Sequence, residues 1–503
     1  MFETPAVIEI TADLHKAIDA ACAALRRHPN IYQRGGRLTQ TLRIAERVAW
    51  ARQGEEGVPT LREVPTATLT AELTRVALFE KYDARSRCKK PVIPPEVLVN
   101  AVAQKGDWPG VRTLHGVVEA PLMRADGSIL QTPGYDAATG VIYEPCGVEF
   151  PIVTDAPTEK DAVAALTALA EPFEEFPFAT AADALVPVAV VLTSLAMGAL
   201  EGCNVPCFVF DANTQGTGKT LCADAVSWIL TGREVPKQTF PGSDGAELEK
   251  ILGGAALAAT PMLMLDNVNS VLGGDALEQR STCRGTSHFR LLGQTKNQTL
   301  PWRTIMLASG NNVQTTVDMR RRVICCTLFA KEENPEERPI KRTDLRGWIL
   351  ANRPRLVTAA LTLLRAYVVA GRPKQPIGAM GNFEEWTALV AGALRWASGV
   401  DVLTARMPSA ATVDPVTEAY AGFLASFSDE PSARWVLKRE YSAGELALMP
   451  CWDNLVAAHD PNRSLRIAGL LRKMKNRVIG NRFIAQSKDT HNKQRLYRVV
   501  LCG

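Results

Sequence analysis

Several patterns that mark whole protein classes are missing from this chain of 503 residues. Its eleven cysteines include no CxxC pair, which argues against a zinc framework built on such pairs. Cys325 and Cys326 are adjacent and so face opposite sides of a strand. The cysteines are therefore expected to be buried free thiols in a reducing cytoplasm, not a disulfide scaffold. The N-terminus lacks the basic, apolar and small-residue succession of a secretory signal. Residues 184–200 are nearly free of charge and close to membrane-spanning length. They carry Pro187 and lack basic or aromatic flanks, so a buried helix is expected there instead of a membrane span. Repeats and low-complexity runs are absent. No primase constellation is visible, so priming would have to come from another chain or an absent N-terminal part.

Acid is nearly missing from one region. Residues 461–503 hold eleven basic side chains against the single acid Asp489, a local charge of +10 in a chain whose total is +4. The preceding 460 residues therefore sum to −6. A solvated face normally mixes both signs, so an almost acid-free stretch with periodic apolar residues points to a nucleic-acid-binding module. The periodicity predicts helices over 442–449 and 464–474, then strand-like residues at Val478, Ile479, Phe483 and Ile484 and over 496–500, around a basic loop at 488–493. Two helices and a two-stranded ribbon make the winged form of helix-turn-helix. Arg466, Arg472 and Lys473 would face a DNA groove, with Lys488, Lys493 and Arg495 on the wing. A winged helix serving only protein contacts is the alternative.

What the chain does contain is concentrated at 213–220. Asn213-Thr214-Gln215-Gly216-Thr217-Gly218-Lys219-Thr220 reads as a phosphate-binding loop with Asn in place of the first Gly. An apolar run over 205–210 precedes it and a helically spaced run over 221–230 follows. Strand, Gly-rich turn and helix place backbone N–H groups and the positive helix end around phosphates. Lys219 would reach the outer phosphates and Thr220 would offer its hydroxyl to Mg²⁺.

Three more apolar strands end in polar tips. The run over 261–265 delivers Asp266 and Asn267, which suits a carboxylate reaching the Mg²⁺ shell. The run over 304–308 ends in Ser309, Asn311 and Asn312, where an amide can orient a water. Asp318, Arg320, Arg321 and Arg322 precede a third strand over 323–328. Three arginines are costly to bury unpaired, and Arg can stabilise charge on a transferring phosphoryl group. Residues 289–300 suggest a hairpin around a polar Gly/Asn turn, with an ordinary surface hairpin as the alternative.

These motifs, Lys219-Thr220 with the two loop glycines, Leu265-Asp266-Asn267, Ser309-x-Asn311 and Asp318-x-x-Arg321-Arg322, resemble those of AAA+ ATPases. Within that group they look like the superfamily III helicases of small viruses, phages and plasmids, and like the helicase parts of primase–helicases on integrated phage-like elements. The likeness carries specific motifs over about residues 180–400. It implies Lys219 and Thr220 as the first motif, Asp266 as the second, Asn311 as sensor, and Arg321 or Arg322 as a finger acting across a subunit interface. It also implies ATP and Mg²⁺ as cofactors and a homo-oligomeric ring, expected to be a hexamer, that pulls on one DNA strand. Lys296, and then Arg290, would grip that strand from the hairpin. Asn267 departs from the pattern: many such ATPases place a second acid there as general base, and an amide takes no proton at neutral pH. Asp275 or Glu278 downstream would then supply the base, or water is positioned without one.

The expected fold is an α/β AAA+ ATPase core, a parallel sheet flanked by helices, with a mixed α+β N-terminal region, a helical lid and a C-terminal winged-helix domain. Its expected divisions are a helical segment at 1–60, a small mixed or β-rich domain at 61–155, the ATPase core at 156–335, the lid at 336–405 and the winged helix at 410–503. Nothing in 61–155 looks catalytic, and a structural module and a DNA-contacting collar are equally open there. The expected function is ATP-driven DNA unwinding in replication of a phage, plasmid or integrated mobile element. The alternatives are an origin-binding initiator or helicase loader that remodels DNA without processive unwinding, and a DNA-binding protein with a degenerate ATPase.

Overall fold

The structure, a computed structural model, describes residues 5–43, 59–290, 298–331, 334–406, 415–430, 432–453, 455–473, 482–488 and 495–501. The chain forms two compact units, Met1–Met407 and Pro408–Gly503. In the first, five parallel strands make the central sheet: β1 (Cys207–Ala212), β2 (Lys237–Thr239), β3 (Met262–Val268), β4 (Ile305–Asn311) and β5 (Val323–Leu328). The helices that concern the site are α1 (Ala181–Leu195), α2 (Lys219–Thr231), α3 (Gly245–Ala258), α4 (Asp275–Ser281), α5 (Val317–Arg320) and α6 (Leu345–Val369).

The strands lie in the order β2-β3-β4-β1-β5. The chain leaves β1 toward one edge and returns on its other side as β5, so the order reverses at β1. Open parallel sheets hold ligands in the crevice beyond the carboxyl ends of their strands at such a reversal. Both faces of the sheet are covered, which is why the strands read as nearly unbroken apolar runs. Alternation sorts their side chains. Phe208, Phe210, Met262, Met264, Ile305 and Leu307 share a core with α1 and α2. Cys207, Val209, Leu263, Leu265, Met306 and Ala308 face α3 on the other side. The adjacent Cys325 and Cys326 fall into opposite cores.

The charge-poor segment forms α1, buried along nearly its whole length. Thr180 caps it, its hydroxyl accepting from the Asp183 N–H at 3.2 Å. Among the described residues no helix is long and apolar enough to cross a membrane. The helices expected as a lid share one core with α1 and α2: the Trp386 indole N–H donates to Thr193 Oγ1 at 2.8 Å, and its ring meets Phe208 edge-on. Buried Arg353 of α6 donates to the Ile229 and Leu230 carbonyls at 3.1 and 2.7 Å, satisfying the C-terminal end of α2.

In the N-terminal region one hydrophobic core spans the division expected at 60/61. A helix is present at Leu14–Leu25 within the segment expected to be helical, but strands Ala6–Glu9, Ala77–Asp83 and Cys88–Pro91 pair in one sheet beside it. Ile8, Leu25, Leu69, Phe79, Leu98 and Trp108 share one core. A helix of three turns with one apolar stripe needs partners to bury it, and here they come from beyond residue 60. Leu122–Met123 and Ile129–Leu130 pair across Asp126-Gly127, whereas Val117 and Val118 pair in parallel with residues 142 and 143.

The second unit places helices at Pro415–Ala425, Ala443–Leu446 and Arg463–Lys473, and strands at Tyr441–Ser442, Arg482–Lys488 and Arg495–Leu501, with the last strand central. Tyr420, Phe423, Trp452, Ile467, Leu471 and Tyr497 form its core. Val478 and Ile479 lie outside the described residues. Not all of its basic side chains face solvent. Arg463 donates to the Ala447 carbonyl at 2.7 Å and pairs with Asp453 at 2.7 Å, and Arg482 donates to the Leu424 and Phe427 carbonyls at 2.8 Å each. These two cations hold the unit together.

Candidate phosphate-binding site

The loop at 213–220 leaves the carboxyl end of β1 at the reversal of strand order. Gly216 and Gly218 take φ of 74° and 93°, the left-handed region that glycine enters without steric cost. Gly218 turns the chain into α2, with Lys219 and Thr220 in its first turn. A Cβ at Gly216 would run into the Glu336 carboxylate, so the loop is held close on its outer side as well. Beside it lies a cleft of about 300 Å³, lined by Phe176, Gly216, Leu221, Pro335, Arg338 and Ile340.

Asn213 does not need a glycine's freedom, since its φ is not positive. Its amide is a clip: Nδ2 donates to the Ala330 carbonyl at 2.8 Å and Oδ1 accepts from the Ala330 N–H at 3.1 Å. This ties the start of the loop to the chain just past β5. Asn213→Ala is expected to cost about 1–2 kcal/mol of stability and to loosen the loop. Urea unfolding with Asn213→Ser as companion checks it, and an unchanged midpoint in the Ala variant contradicts the clip.

Strand parity brings the other candidates to one face. Asp266, Ser309 and Asn311 continue the alternation of Met262, Met264, Ile305 and Leu307, so they emerge on the side of the sheet covered by α2. Lys219 Nζ donates to Asn311 Oδ1 at 2.6 Å and to the Thr214 carbonyl at 3.4 Å. Burial pushes the Lys219 ammonium below its usual range, while Asp211 and Asp266 pull it back up. The Ser309 hydroxyl donates to Asp266 Oδ1 in a short bond and holds that carboxylate in place. Ser309 stood in the motif with no role assigned. Counting in twos from Leu307 to Asn311 would have found it.

Asn267 sits differently. The pairing of β3 with β4 slips between Leu265 and Val268, and Asn267 occupies the bulge with φ of 57°. Asn enters that region more readily than most residues, which accounts for an amide there. Asp211, at the tip of β1, also escaped notice. It accepts from the Val313 N–H at 2.9 Å, and burial raises its carboxyl above the usual range. Its parity puts it on the opposite face of β1 from Ala212, yet its charge still acts on Lys219 together with that of Asp266.

The arginines lie at the other end of the sheet. The Cys207 N–H, at the start of β1, donates to the Arg322 carbonyl at 3.0 Å. The six residues of β1 separate that point from the loop by about 16 Å, at ~3.3 Å per residue. Arg322 is engaged within its own chain, donating to the Glu278 carbonyl at 3.0 Å. Arg321 is exposed and, among the described residues, pairs with the exposed Asp318 at 2.9 Å. Arg320 is half-buried. Glu278 accepts from Thr316 Oγ1 at 2.6 Å and stands with Asp275 on α4, its backbone carbonyl against Arg322.

Among the described residues no group of three His, Cys, Asp or Glu side chains could hold a metal. A hydroxyl and one carboxylate, Thr220 and Asp266, fit Mg²⁺ only in the company of phosphate oxygens, which is how that ion is usually held in phosphoryl-transfer sites. Of the expected DNA contacts, Arg290 is exposed directly after the hairpin arm Thr286–Phe289, which pairs with Gln298–Pro301. Lys296 and Lys493 lie outside the described residues. Arg466, Arg472 and Arg495 are exposed on the second unit, Arg466 pairing with Asp460 at 3.1 Å. Lys473 ends a helix and Lys488 ends a strand.

A five-stranded parallel sheet flanked by helices, with a Gly-rich loop between its strand at the reversal and the next helix, is the architecture of a P-loop ATPase core. Among solved structures the chain is similar to the apo NrS-1 C-terminal region, at 13% identity over 58% of this chain and 68% of that one, with a TM-score of 0.31. It is also similar to JCV helicase, at 14% identity over 52% and 72%, with a TM-score of 0.20. No protein-family model matches the chain, and no curated protein matches it in sequence.

Proposed function

We propose that this chain is an ATP-dependent, ring-forming DNA helicase of the superfamily III type, acting in replication of a phage, plasmid or integrated mobile element. One observation carries the reading: the loop with Lys219, Asp266 and Asn311 lies at one end of the sheet, and the exposed Arg321 about 16 Å away at the other. A single copy cannot bring Arg321 to its own phosphates. Head-to-tail copies can, and such an arrangement closes into a ring when the rotation permits.

In this reading the loop N–H groups and Lys219 bind the β- and γ-phosphates, and the cleft beside Phe176 takes the base. Mg²⁺, held by Thr220 and Asp266, would neutralise charge on the phosphate oxygens. Asn311, already bonded to Lys219, would orient the attacking water. The hairpin with Arg290 and Lys296 would grip one strand in the channel. Arg466, Arg472, Lys473, Lys488, Lys493 and Arg495 of a winged helix would add phosphate contacts whose affinity falls steeply with salt.

Strand displacement on a forked duplex with ATP and Mg²⁺ tests this. Unwinding by the wild-type chain supports it. Hydrolysis without displacement would favour an initiator or loader, and no hydrolysis would leave a DNA-binding protein with a degenerate ATPase. The latter outcome has its motive in Asn267, where no acid stands.

A further inference from the structure

A hairpin in the N-terminal region carries charges that its own fold does not use. Its arms, Ala77–Asp83 and Cys88–Pro91, pair antiparallel, and the turn between them holds Ala84, Arg85, Ser86 and Arg87. Residues 81–90 are exposed apart from the half-buried Asp83. They hold five cations against one acid, a charge of +4, inside a stretch of 460 residues that sums to −6.

Local needs explain only two of these cations. Lys89 pairs with Glu9 at 2.7 Å, and Lys90 pairs with Asp83. Both lie on Cys88–Pro91, the edge of its sheet, where lysines deter pairing with a strand of another chain. Neither reason covers Lys81, Arg85 and Arg87, which have no ion-pair partner among the described residues. Two of the three are placed at a cost. Lys81 lies directly opposite Lys90 in the ladder, and like charges so placed repel. Arg87 has φ of 51°, in the left-handed region where hairpin loops usually carry glycine. Asp83 fixes the turn, its Oδ1 accepting from the Arg85 N–H at 2.8 Å, so both arginines project from a defined turn.

We propose that this N-terminal hairpin is a nucleic-acid contact, with Lys81, Arg85 and Arg87 binding phosphates of the sugar–phosphate backbone. Guanidinium groups engage phosphate bidentately, and a two-stranded ribbon is narrow enough to lie along a groove. An anionic membrane fits less well. The turn has no large apolar side chain to insert, and the exposed Ile93 and Val97 follow the end of Cys88–Pro91 away from the turn. The contact is made by residues other than Arg290 and the cations of 461–503, and it shares with the helicase reading only its partner, DNA.

Fluorescence anisotropy of the full chain with a labelled DNA duplex and its labelled single strand, over a range of KCl concentrations, tests this. Arg85→Ala/Arg87→Gly is expected to bind at least one form about 10–50-fold more weakly at low salt, with a slope of log affinity against log salt shallower by about two. Glycine relieves the left-handed arginine, so Arg87→Gly alone should hold or raise the thermal midpoint while binding falls, a split that a purely structural turn residue would not give. Arg85→Lys/Arg87→Lys keeps both charges and should retain the wild-type slope. Should the double variant with Ala and Gly not fold, Arg85→Ala alone decides, by a slope shallower by about one. Wild-type affinity and slope in the charge-removing variants overturn the contact and leave the helicase reading standing, whereas no DNA binding by the wild type overturns both. Binding that depends on the hairpin, without strand displacement, keeps the contact and removes the helicase reading. Tighter binding to phosphatidylserine vesicles than to either DNA overturns the contact.

Discussion

Lys219→Ala should lower ATP turnover at saturating nucleotide by about 10²–10³-fold, the loss typical of removing one preorganised donor from developing charge. In the free protein the ammonium already rests on Asn311 at 2.6 Å, so the change strips both the phosphate contact and the partner that holds the amide. Folding should not suffer. Lys219 is half-buried and its charge is disfavoured by that burial, so its loss removes a desolvation cost along with the bond. Steady-state hydrolysis and a thermal midpoint measured together separate the two effects. Turnover within threefold of wild type would remove the loop from the catalytic reading, and strand displacement must fail in the same variant.

Arg321→Ala is expected to lower hydrolysis on the order of 10³-fold while leaving nucleotide affinity nearly unchanged. Stability should barely move, because an exposed pair with Asp318 contributes little. Arg322→Ala should behave in the opposite way. It frees the Glu278 carbonyl and should cost about 1–3 kcal/mol of stability. A mixing experiment isolates action between subunits. Arg321→Ala chains keep an intact loop, and Lys219→Ala chains keep an intact arginine, so mixed assemblies should regain part of the activity neither has alone. Failure to recover any hydrolysis, with mixed assembly verified by differently tagged chains, would show that Arg321 does not act across an interface.

Much of the candidate phosphate-binding site was legible because its pieces are local. A Gly-rich turn between a strand and a helix carries its own geometry, and Lys219 and Thr220 follow from it. Asp266 and Asn311 were legible as polar tips of apolar strands. Their shared face came from alternation, which also exposes Ser309 once counted. Asn213 and Asn267 were not legible: one is a clip to Ala330, 117 residues away, and the other fills a bulge made by pairing with β4. Nor could charge counting foresee that Arg463 and Arg482, two of the eleven C-terminal cations, serve carbonyls of their own unit.

Sequence alone determined what rests on neighbouring residues: the Gly-rich turn between strand and helix, the order of apolar strands, the buried α1 and the lopsided charge of residues 461–503. Tertiary structure decided whatever depends on distance through space. It set the strand order that puts β4 between β1 and β3, so that Asn311 reaches Lys219. It drew residues 6–25 into one core with residues beyond 60, and it committed Arg322 to its own chain while leaving Arg321 exposed. The reason is physical. Backbone geometry repeats over a few residues, whereas a buried cation or an amide clip is satisfied by whichever carbonyl the fold happens to bring near it.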